Sequence, residues 1–178
     1  GRALTLGNTA GQDTVFCFDA VSGAERWRYS YACPVDANDH EGGPAATPTV
    51  VNGRAYTLSK RGHVICLDVV TGQPVWRRSL LDDQRGVTKP DWGFAGSPLV
   101  EGNLVVLNVG GAGLALDRES GKTLWASDTN TAGYASPVAY GPPSHRAAAI
   151  FSSTGLIGVH LADGRELWRH PWVEEYKI

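Results

Sequence analysis

The fold is decided by a ten-residue stretch that reads Leu67-Asp68-Val69-Val70-Thr71-Gly72-Gln73-Pro74-Val75-Trp76. An extended run leads into a turn at Thr71-Gly72, and a second extended run ends on tryptophan. The pattern occurs four times along the chain, and in every copy a glycine lies four residues before the tryptophan. A pattern that returns at a nearly fixed period is the signature of a repeat architecture, so the repeat has to be interpreted before any single residue.

The four tryptophans that end the copies lie 49, 49 and 43 residues apart. An aspartate precedes the tryptophan by eight positions in three copies, and His160 takes that position in the fourth. A second marker, a serine or threonine followed by proline, comes before a short apolar run at Thr47-Pro48, Ser97-Pro98 and Ser136-Pro137. The first copy has no such marker, which predicts that its innermost strand is missing.

Each repeat divides into four short strands. In the second repeat the predicted strands are Pro48–Val51, a strand around Ala55–Leu58, His63–Asp68 and Pro74–Ser79, with a hairpin turn at Asn52-Gly53. Four short antiparallel strands in 43 to 49 residues are typical of a propeller blade, and no window shows a helical apolar period. An immunoglobulin-like sandwich would also give short strands, but it does not account for the fourfold register.

We therefore predict an all-β chain, a β-propeller fragment of about four four-stranded blades whose first blade lacks its inner strand. The chain is expected to be a single partial domain, with repeats at about 1–44, 45–93, 94–133 and 134–178.

Composition narrows the class of protein. Hydrophobic residues make up 42% of the 178 residues and charged residues 19%, which indicates a folded globular chain. The net charge of −2 and the lack of a Lys/Arg run argue against a nucleic-acid partner. No apolar stretch approaches the roughly 18 residues that cross a membrane. The chain has no methionine, starts at Gly1 without a signal-peptide pattern, and is expected to be a fragment.

The repeated residues are expected to be structural. A large aromatic ring on each outer strand can pack against the neighbouring blade, glycine suits a turn with positive φ, and aspartate can accept hydrogen bonds from turn amides. Catalysis does not require four copies of one residue. A ring of blades does require them, because each blade needs the same contact with its neighbour. The predicted docking residues are Trp27, Trp76, Trp125, Trp168, Gly23, Gly72, Gly121, Gly164, Asp19, Asp68 and Asp117.

The pattern Leu-Asp-x-x-[Ser/Thr]-Gly-x-x-x-Trp resembles the tryptophan-docking motif of pyrroloquinoline-quinone (PQQ) type propellers. That superfamily includes quinoprotein alcohol dehydrogenases and the BamB lipoprotein of outer-membrane assembly. A closer resemblance, through Gly43–Thr49 and Trp92–Val100, is to bacterial PQQ-binding-like repeat proteins described as polyvinyl-alcohol dehydrogenases. The resemblance implies a bacterial protein that is periplasmic or otherwise exported, and PQQ with Ca²⁺ as the cofactor that such a propeller can hold.

The connections between blades carry the candidate binding residues. In quinoproteins the face that these connections cross holds the cofactor, and here they run through 32–46, 81–96 and 127–135. Carboxylates such as Glu41 could hold a hard cation, and Trp92 could stack on a flat quinone. With Tyr134, which lies in the third connection, these residues are the cofactor-binding candidates because they share a position in the repeat. The other polar residues of the connections are Asp36, Asp39, His40, Arg85, Lys89, Asp91, Asp128 and Asn130. The alternative is that all of these loops are solvated and only cap turns.

The sequence departs from the dehydrogenase pattern. Cys17, Cys33 and Cys66 are not adjacent, although quinoprotein dehydrogenases commonly carry a ring of adjacent cysteines next to PQQ. Neither the Ca²⁺ ligands nor the catalytic aspartate of that family can be matched, and the spacing of Asp36 to Glu41 fits no metal site. No catalytic residue and no metal ligand is therefore predicted.

Three functions remain open. The first is a non-catalytic propeller that binds a protein or ligand, the second is a part of a PQQ-dependent alcohol dehydrogenase of the polyvinyl-alcohol type that is inactive alone, and the third is a BamB-like assembly scaffold.

Three complete repeats and one incomplete repeat also predict a partner. A half-ring would expose apolar blade faces at both ends and an unpaired inner edge in the first repeat. A homodimer could complete an eight-bladed ring, with Val173–Ile178 of each copy supplying the strand that the other lacks. The alternative is that the chain closes alone as a four-bladed ring.

Overall fold

The computed structural model describes residues 1–35, 43–83, 87–127 and 130–172, and within these ranges the chain forms four antiparallel sheets. Every sheet is a simple meander in which strands that follow one another along the chain lie side by side. Three sheets have four strands, and the first has three. The prediction of a propeller fragment of four blades, the first without its inner strand, is confirmed.

The sheets define blades 1 to 4 in chain order. Blade 1 contains β1 (Arg2–Thr9), β2 (Gln12–Asp19) and β3 (Glu25–Ala32). Blade 2 contains β4 (Thr49–Val51), β5 (Arg54–Leu58), β6 (His63–Asp68) and β7 (Pro74–Ser79). Blade 3 contains β8 (Leu99–Glu101), β9 (Leu104–Leu107), β10 (Leu114–Asp117) and β11 (Thr123–Ala126). Blade 4 contains β12 (Val138–Tyr140), β13 (Ala147–Ser152), β14 (Gly155–His160) and β15 (Glu166–Pro171).

Among the residues that the structure describes, helical structure is confined to single turns. A four-residue helix, α1 (Leu80–Asp83), follows β7, and a 3-10 turn at Pro143–His145 follows β12. One turn is too short to produce an apolar period, which is why the sequence gives no sign of either. In the described part of the chain, no helix is long and apolar enough to span a membrane.

The blades pack face to face through side chains that alternate along their strands. On β6, Val64 and Cys66 belong to the cluster shared with blade 3, while Ile65 and Leu67 belong to the cluster shared with blade 1. A third cluster joins blades 3 and 4 around Ile150. Burial of each large aliphatic side chain contributes about 1.5–3 kcal/mol, so most of the stability lies between blades.

The outer-strand tryptophans of blades 1 to 3 also cross these interfaces. The indole Nε1 of Trp27 donates a hydrogen bond of 2.9 Å to the carbonyl oxygen of Val69 in blade 2. Trp76 donates in the same way to Arg118 of blade 3, at 2.9 Å, and Trp125 to Leu161 of blade 4, at 2.7 Å.

Each of these rings lies on the turn glycine of the following blade. A Cβ atom added to that glycine would lie 2.6 Å from the Trp27 ring at Gly72, 2.7 Å from the Trp76 ring at Gly121, and 2.5 Å from the Trp125 ring at Gly164. All three glycines have φ of 71° or 72°, a region that other residues rarely adopt. The turn therefore needs glycine both for its backbone and for the space under the ring.

Removal of one of these rings should destabilise the protein strongly. Trp76→Ala is expected to lower the free energy of unfolding by about 3 kcal/mol, the low end for loss of a large aromatic ring, because the Trp76 side chain is only partly buried. Urea unfolding would measure it. The control is Trp172→Ala, whose side chain is 52% exposed and whose loss should cost no more than about 0.5 kcal/mol. Equal losses in the two variants would contradict a docking role for Trp76.

Candidate functional site

The connecting-loop face brings two of the three predicted candidates together. The main-chain N–H of Trp92, in the loop after blade 2, donates to the hydroxyl oxygen of Tyr134, in the loop after blade 3, at 3.3 Å. The Trp92 side chain is 45% exposed. Sequence reasoning placed both residues on one face from their shared position in the repeat, and the structure has them in contact.

The third candidate, Glu41, lies outside the described residues, as do Asp36, Asp39, His40, Arg85 and Asp128. The site that can be described is therefore the part built by the second and third connections. Whether these residues bind a cofactor stays a prediction.

A tight turn presents the Trp92 ring to solvent. Gly93 has φ of 76° and donates its N–H to the Pro90 carbonyl at 2.9 Å, and the next residue, Phe94, donates to the Lys60 carbonyl at 3.0 Å. The Phe94 side chain is fully buried in the core between blades 2 and 3. A Cβ atom at Gly93 would lie 2.8 Å from the Lys60 carbonyl oxygen, so only glycine lets the loop approach this closely. The exposed indole is thus fixed to the blade by its neighbours.

The serine-proline markers link neighbouring blades beside this site. The N–H of Thr47 donates to the Ser97 hydroxyl oxygen at 2.9 Å, and the N–H of Ser97 donates to the Ser136 hydroxyl oxygen at 2.9 Å. Sequence reasoning used these pairs only to mark the start of a strand. A serine or threonine recurs before the proline in each of these pairs, and this recurrence could have predicted the link between blades.

Acidic side chains near the blades are engaged in turns. The Asp68 carboxylate accepts hydrogen bonds from the N–H groups of Val70 and Thr71, at 3.0 and 2.9 Å. In blade 3 the Ser120 hydroxyl and N–H groups hold the pKa of Asp117 below its ordinary value of 3.8. His160 replaces the aspartate in blade 4, and there Asp163 accepts from the Arg165 N–H at 3.1 Å.

The cysteines lie inside the packed part of the protein. Cys17, Cys33 and Cys66 are buried and form no disulfide with one another. Burial raises the pKa of Cys33 and of Cys66 to about 11, so both remain thiols at neutral pH. Among residues 1–35, 43–83, 87–127 and 130–172, no three His, Cys, Asp or Glu side chains gather as a metal site would require.

An open cleft lies elsewhere, between the hairpin turns of blades 3 and 4. Its volume is 740 Å³, and its lining includes Glu101, Asn103, Arg146 and His160. The Arg146 guanidinium bonds the Glu101 carboxylate across the blade boundary at 2.9 Å. The sequence did not indicate this cleft because its residues come from turns in two different repeats.

Comparison with known proteins places the chain among propellers. Residues 11–176 match the family model described as outer membrane protein assembly factor BamB. No curated protein matches the chain.

Among solved structures, the chain is similar to BamB from Moraxella catarrhalis, with a TM-score of 0.68, 19% identity and 97% of this chain covered. It is also similar to the quinohemoprotein alcohol dehydrogenase ADHIIG from Pseudomonas putida HK5, with a TM-score of 0.63, 18% identity and 95% covered. A third similar structure is the quinohemoprotein alcohol dehydrogenase from Comamonas testosteroni, with a TM-score of 0.62, 15% identity and 94% covered.

The chain spans 50% of the length of the BamB structure, and 33% and 34% of the two dehydrogenases. At these identities the likeness shows the fold alone.

The Asp117 turn provides a test by pH. A carboxylate whose folded pKa is depressed stabilises the fold above its unfolded pKa, and this contribution is lost as pH falls through the folded pKa. Asp117→Asn should therefore be less stable than the wild type at pH 7, and the difference should shrink as pH falls below 3.8. Urea midpoints over a pH series would measure it. Glu119→Gln, at an exposed position in the same turn, is the control and should keep the wild-type stability at pH 7, because Asp117 and its partners are unchanged.

Proposed function

The chain belongs to the family of the outer membrane protein assembly factor BamB, a family of PQQ-type propeller repeats, and from that premise we propose that it is a non-catalytic β-propeller scaffold. Its role is to bind a protein or a small ligand on the connecting-loop face. The docking residues of the repeat serve the ring, and the connections serve binding.

The observation that carries this proposal is the exposed indole of Trp92, on a turn that is anchored in the core and whose main chain contacts the Tyr134 hydroxyl. Tryptophan and tyrosine are enriched where proteins contact one another, because they offer a large apolar surface together with a hydrogen-bonding group. A rigid support increases the value of such a ring, since less conformational freedom is lost when a partner binds.

Trp92→Ala is the variant that tests this function. The chain would be immobilised and purified proteins of the outer-membrane assembly machinery passed over it one at a time, with binding followed by surface plasmon resonance. We expect Trp92→Ala to weaken binding of the true partner at least about thirtyfold, which corresponds to the roughly 2 kcal/mol of an interface hot spot. Trp172→Ala, also exposed, is the matched control and should bind normally. Binding that is equal in both variants would remove Trp92 from the site.

A part of a PQQ-dependent dehydrogenase of the polyvinyl-alcohol type is the second candidate. The likeness to two quinohemoprotein alcohol dehydrogenases favours it at the level of the fold. The sequence departs from that family, because its cysteines are not adjacent along the chain and the family's Ca²⁺ ligands cannot be matched to residues here. We therefore derive no reaction step through PQQ.

Titration with PQQ and Ca²⁺ separates the two candidates. A scaffold should show no saturable change in tryptophan fluorescence and no heat of binding up to millimolar ligand. Saturable binding that Trp92→Ala abolishes would favour the dehydrogenase instead.

A BamB-like assembly scaffold is the narrower form of the first proposal, and the same binding experiment tests it. By family we also infer that the protein works outside the cytoplasm, in the periplasm or otherwise exported.

The partner in the proposed ring is a second copy. The four blades span half of the BamB structure, so four more would complete a ring of similar size. The tail Val173–Ile178, expected to supply the missing strand, lies outside the described residues.

Light scattering after size exclusion is expected to give a mass of about 38 kDa, twice the 19.0 kDa of one chain. A well-folded species of one chain's mass would favour the alternative, a ring closed by four blades alone.

A further inference from the structure

Within the described residues, the outer-strand tryptophan of blade 4 lies on no turn glycine of another blade. Trp168 occupies the outer-strand position of Trp27, Trp76 and Trp125, but its Nε1 donates to the Tyr140 hydroxyl oxygen of its own blade, at 2.7 Å. The ring is 39% exposed and lies directly on Gly158 of the same sheet. Blade 4 thus presents the donor half of the contact that joins the other blades.

The first blade holds the matching half. Gly23 has φ of 72°, the same turn conformation as Gly72, Gly121 and Gly164. In those three turns an added Cβ atom would meet a tryptophan ring, whereas within the described residues nothing lies within 4 Å of a Cβ atom at Gly23. Ala20 follows Asp19 as Val69 follows Asp68, so its carbonyl group has the position that accepts the indole hydrogen bond in blade 2.

The face of blade 1 beside this turn carries residues at positions that are buried between blades in blade 2. The pairing of Arg2 with Asp19 in blade 1 corresponds to that of Arg54 with Asp68 in blade 2. Thr5 and Phe18 then take the positions of Thr57 and Leu67, which are fully buried. In blade 1 Thr5 is exposed and Phe18 only half-buried.

The sizes of the side chains at the two ends are complementary. One equivalent strand position faces the next blade. Blades 1 to 3 carry a side chain there, whereas blade 4 carries Gly158, which has none; the three residues are Cys17, Cys66 and Ala115. The equivalent position that faces the preceding blade holds Phe18 in blade 1. In blades 2 to 4 it holds a smaller aliphatic residue, namely Leu67, Leu116 and Val159. The smallest residue of one series would therefore meet the largest residue of the other, which conserves the packed volume.

We propose that blade 4 of one copy docks onto blade 1 of a second copy, and that the Trp168 indole leaves Tyr140 and donates to the carbonyl oxygen of Ala20 in that copy. This inference rests on the ring of two copies proposed above. A second copy is the occupant because both complementary halves, Trp168 with Gly158 and the Gly23 turn with Phe18, lie on one chain. Two such contacts related by a two-fold axis close the ring without a free end.

Gly23→Ala is the decisive variant, because it adds a methyl group where the incoming ring would lie. Gly53→Ala is its matched control: Gly53 has φ of 76°, an added Cβ atom meets nothing within 4 Å, and it lies in the β4–β5 hairpin of blade 2. Both variants carry the same backbone strain, and only Gly23→Ala blocks docking. Thr5→Arg is the second variant, since an exposed position tolerates arginine in a single chain.

Light scattering over a dilution series measures the outcome. We expect the wild type and Gly53→Ala to have the mass of two chains, and Gly23→Ala and Thr5→Arg to dissociate at a concentration at least about tenfold higher. If both interface variants stay paired like the wild type, the two copies meet elsewhere, and this inference fails while the ring proposal stands. If Gly53→Ala dissociates as readily as Gly23→Ala, strain alone explains the effect and the inference also fails.

A wild-type mass of one chain, or a ladder of ever longer species, would overturn the closed pair. The scaffold function would be unaffected, because its binding test concerns Trp92 on another face.

Discussion

The hydrogen bond from an outer-strand indole to a main-chain carbonyl of the next blade is the interaction on which the arrangement of blades depends. It joins residues 42, 42 and 36 positions apart and is made in the same way three times. Each bond requires a turn in which glycine leaves room for the ring, and in blades 2 and 3 an aspartate holds the turn amides. Because the indole and carbonyl groups are at least partly withdrawn from water and need hydrogen-bond partners, the bond orients each blade as well as attracting it.

The regular part of the fold could be predicted because its physical cause is local and repeated. Strands β6 and β7 have the predicted bounds, since alternation and turn residues define them within a few positions. The helix Leu80–Asp83 could not be predicted from a period that needs more than one turn. The hydroxyl links from Thr47 to Ser97 and from Ser97 to Ser136 were missed for a different reason, because the recurring hydroxyl residue was interpreted only as the start of a strand.

In the candidate site as well, the features that follow from the repeat could be predicted and those that do not repeat could not. Trp92 and Tyr134 were predicted to share a face because equivalent connections of a propeller cross the same side of the ring, and their contact follows from that topology. What the loops bind is set by side chains that do not repeat, so the period carries no information about it. The open cleft around Arg146 and Glu101 could not be predicted for the same reason, since neither residue belongs to the repeated pattern.

The packing of each blade only against its neighbours gives the protein the behaviour of a one-dimensional array. In such arrays stability is close to a sum of unit and nearest-neighbour terms, and order is lost from the ends inward. Blade 3 has a partner on both sides, while blades 1 and 4 each have one within the described chain. A blade with two neighbours is therefore expected to open more slowly than a blade with one. Closing the array into a circle removes both ends at once, so every blade then unfolds only with the whole.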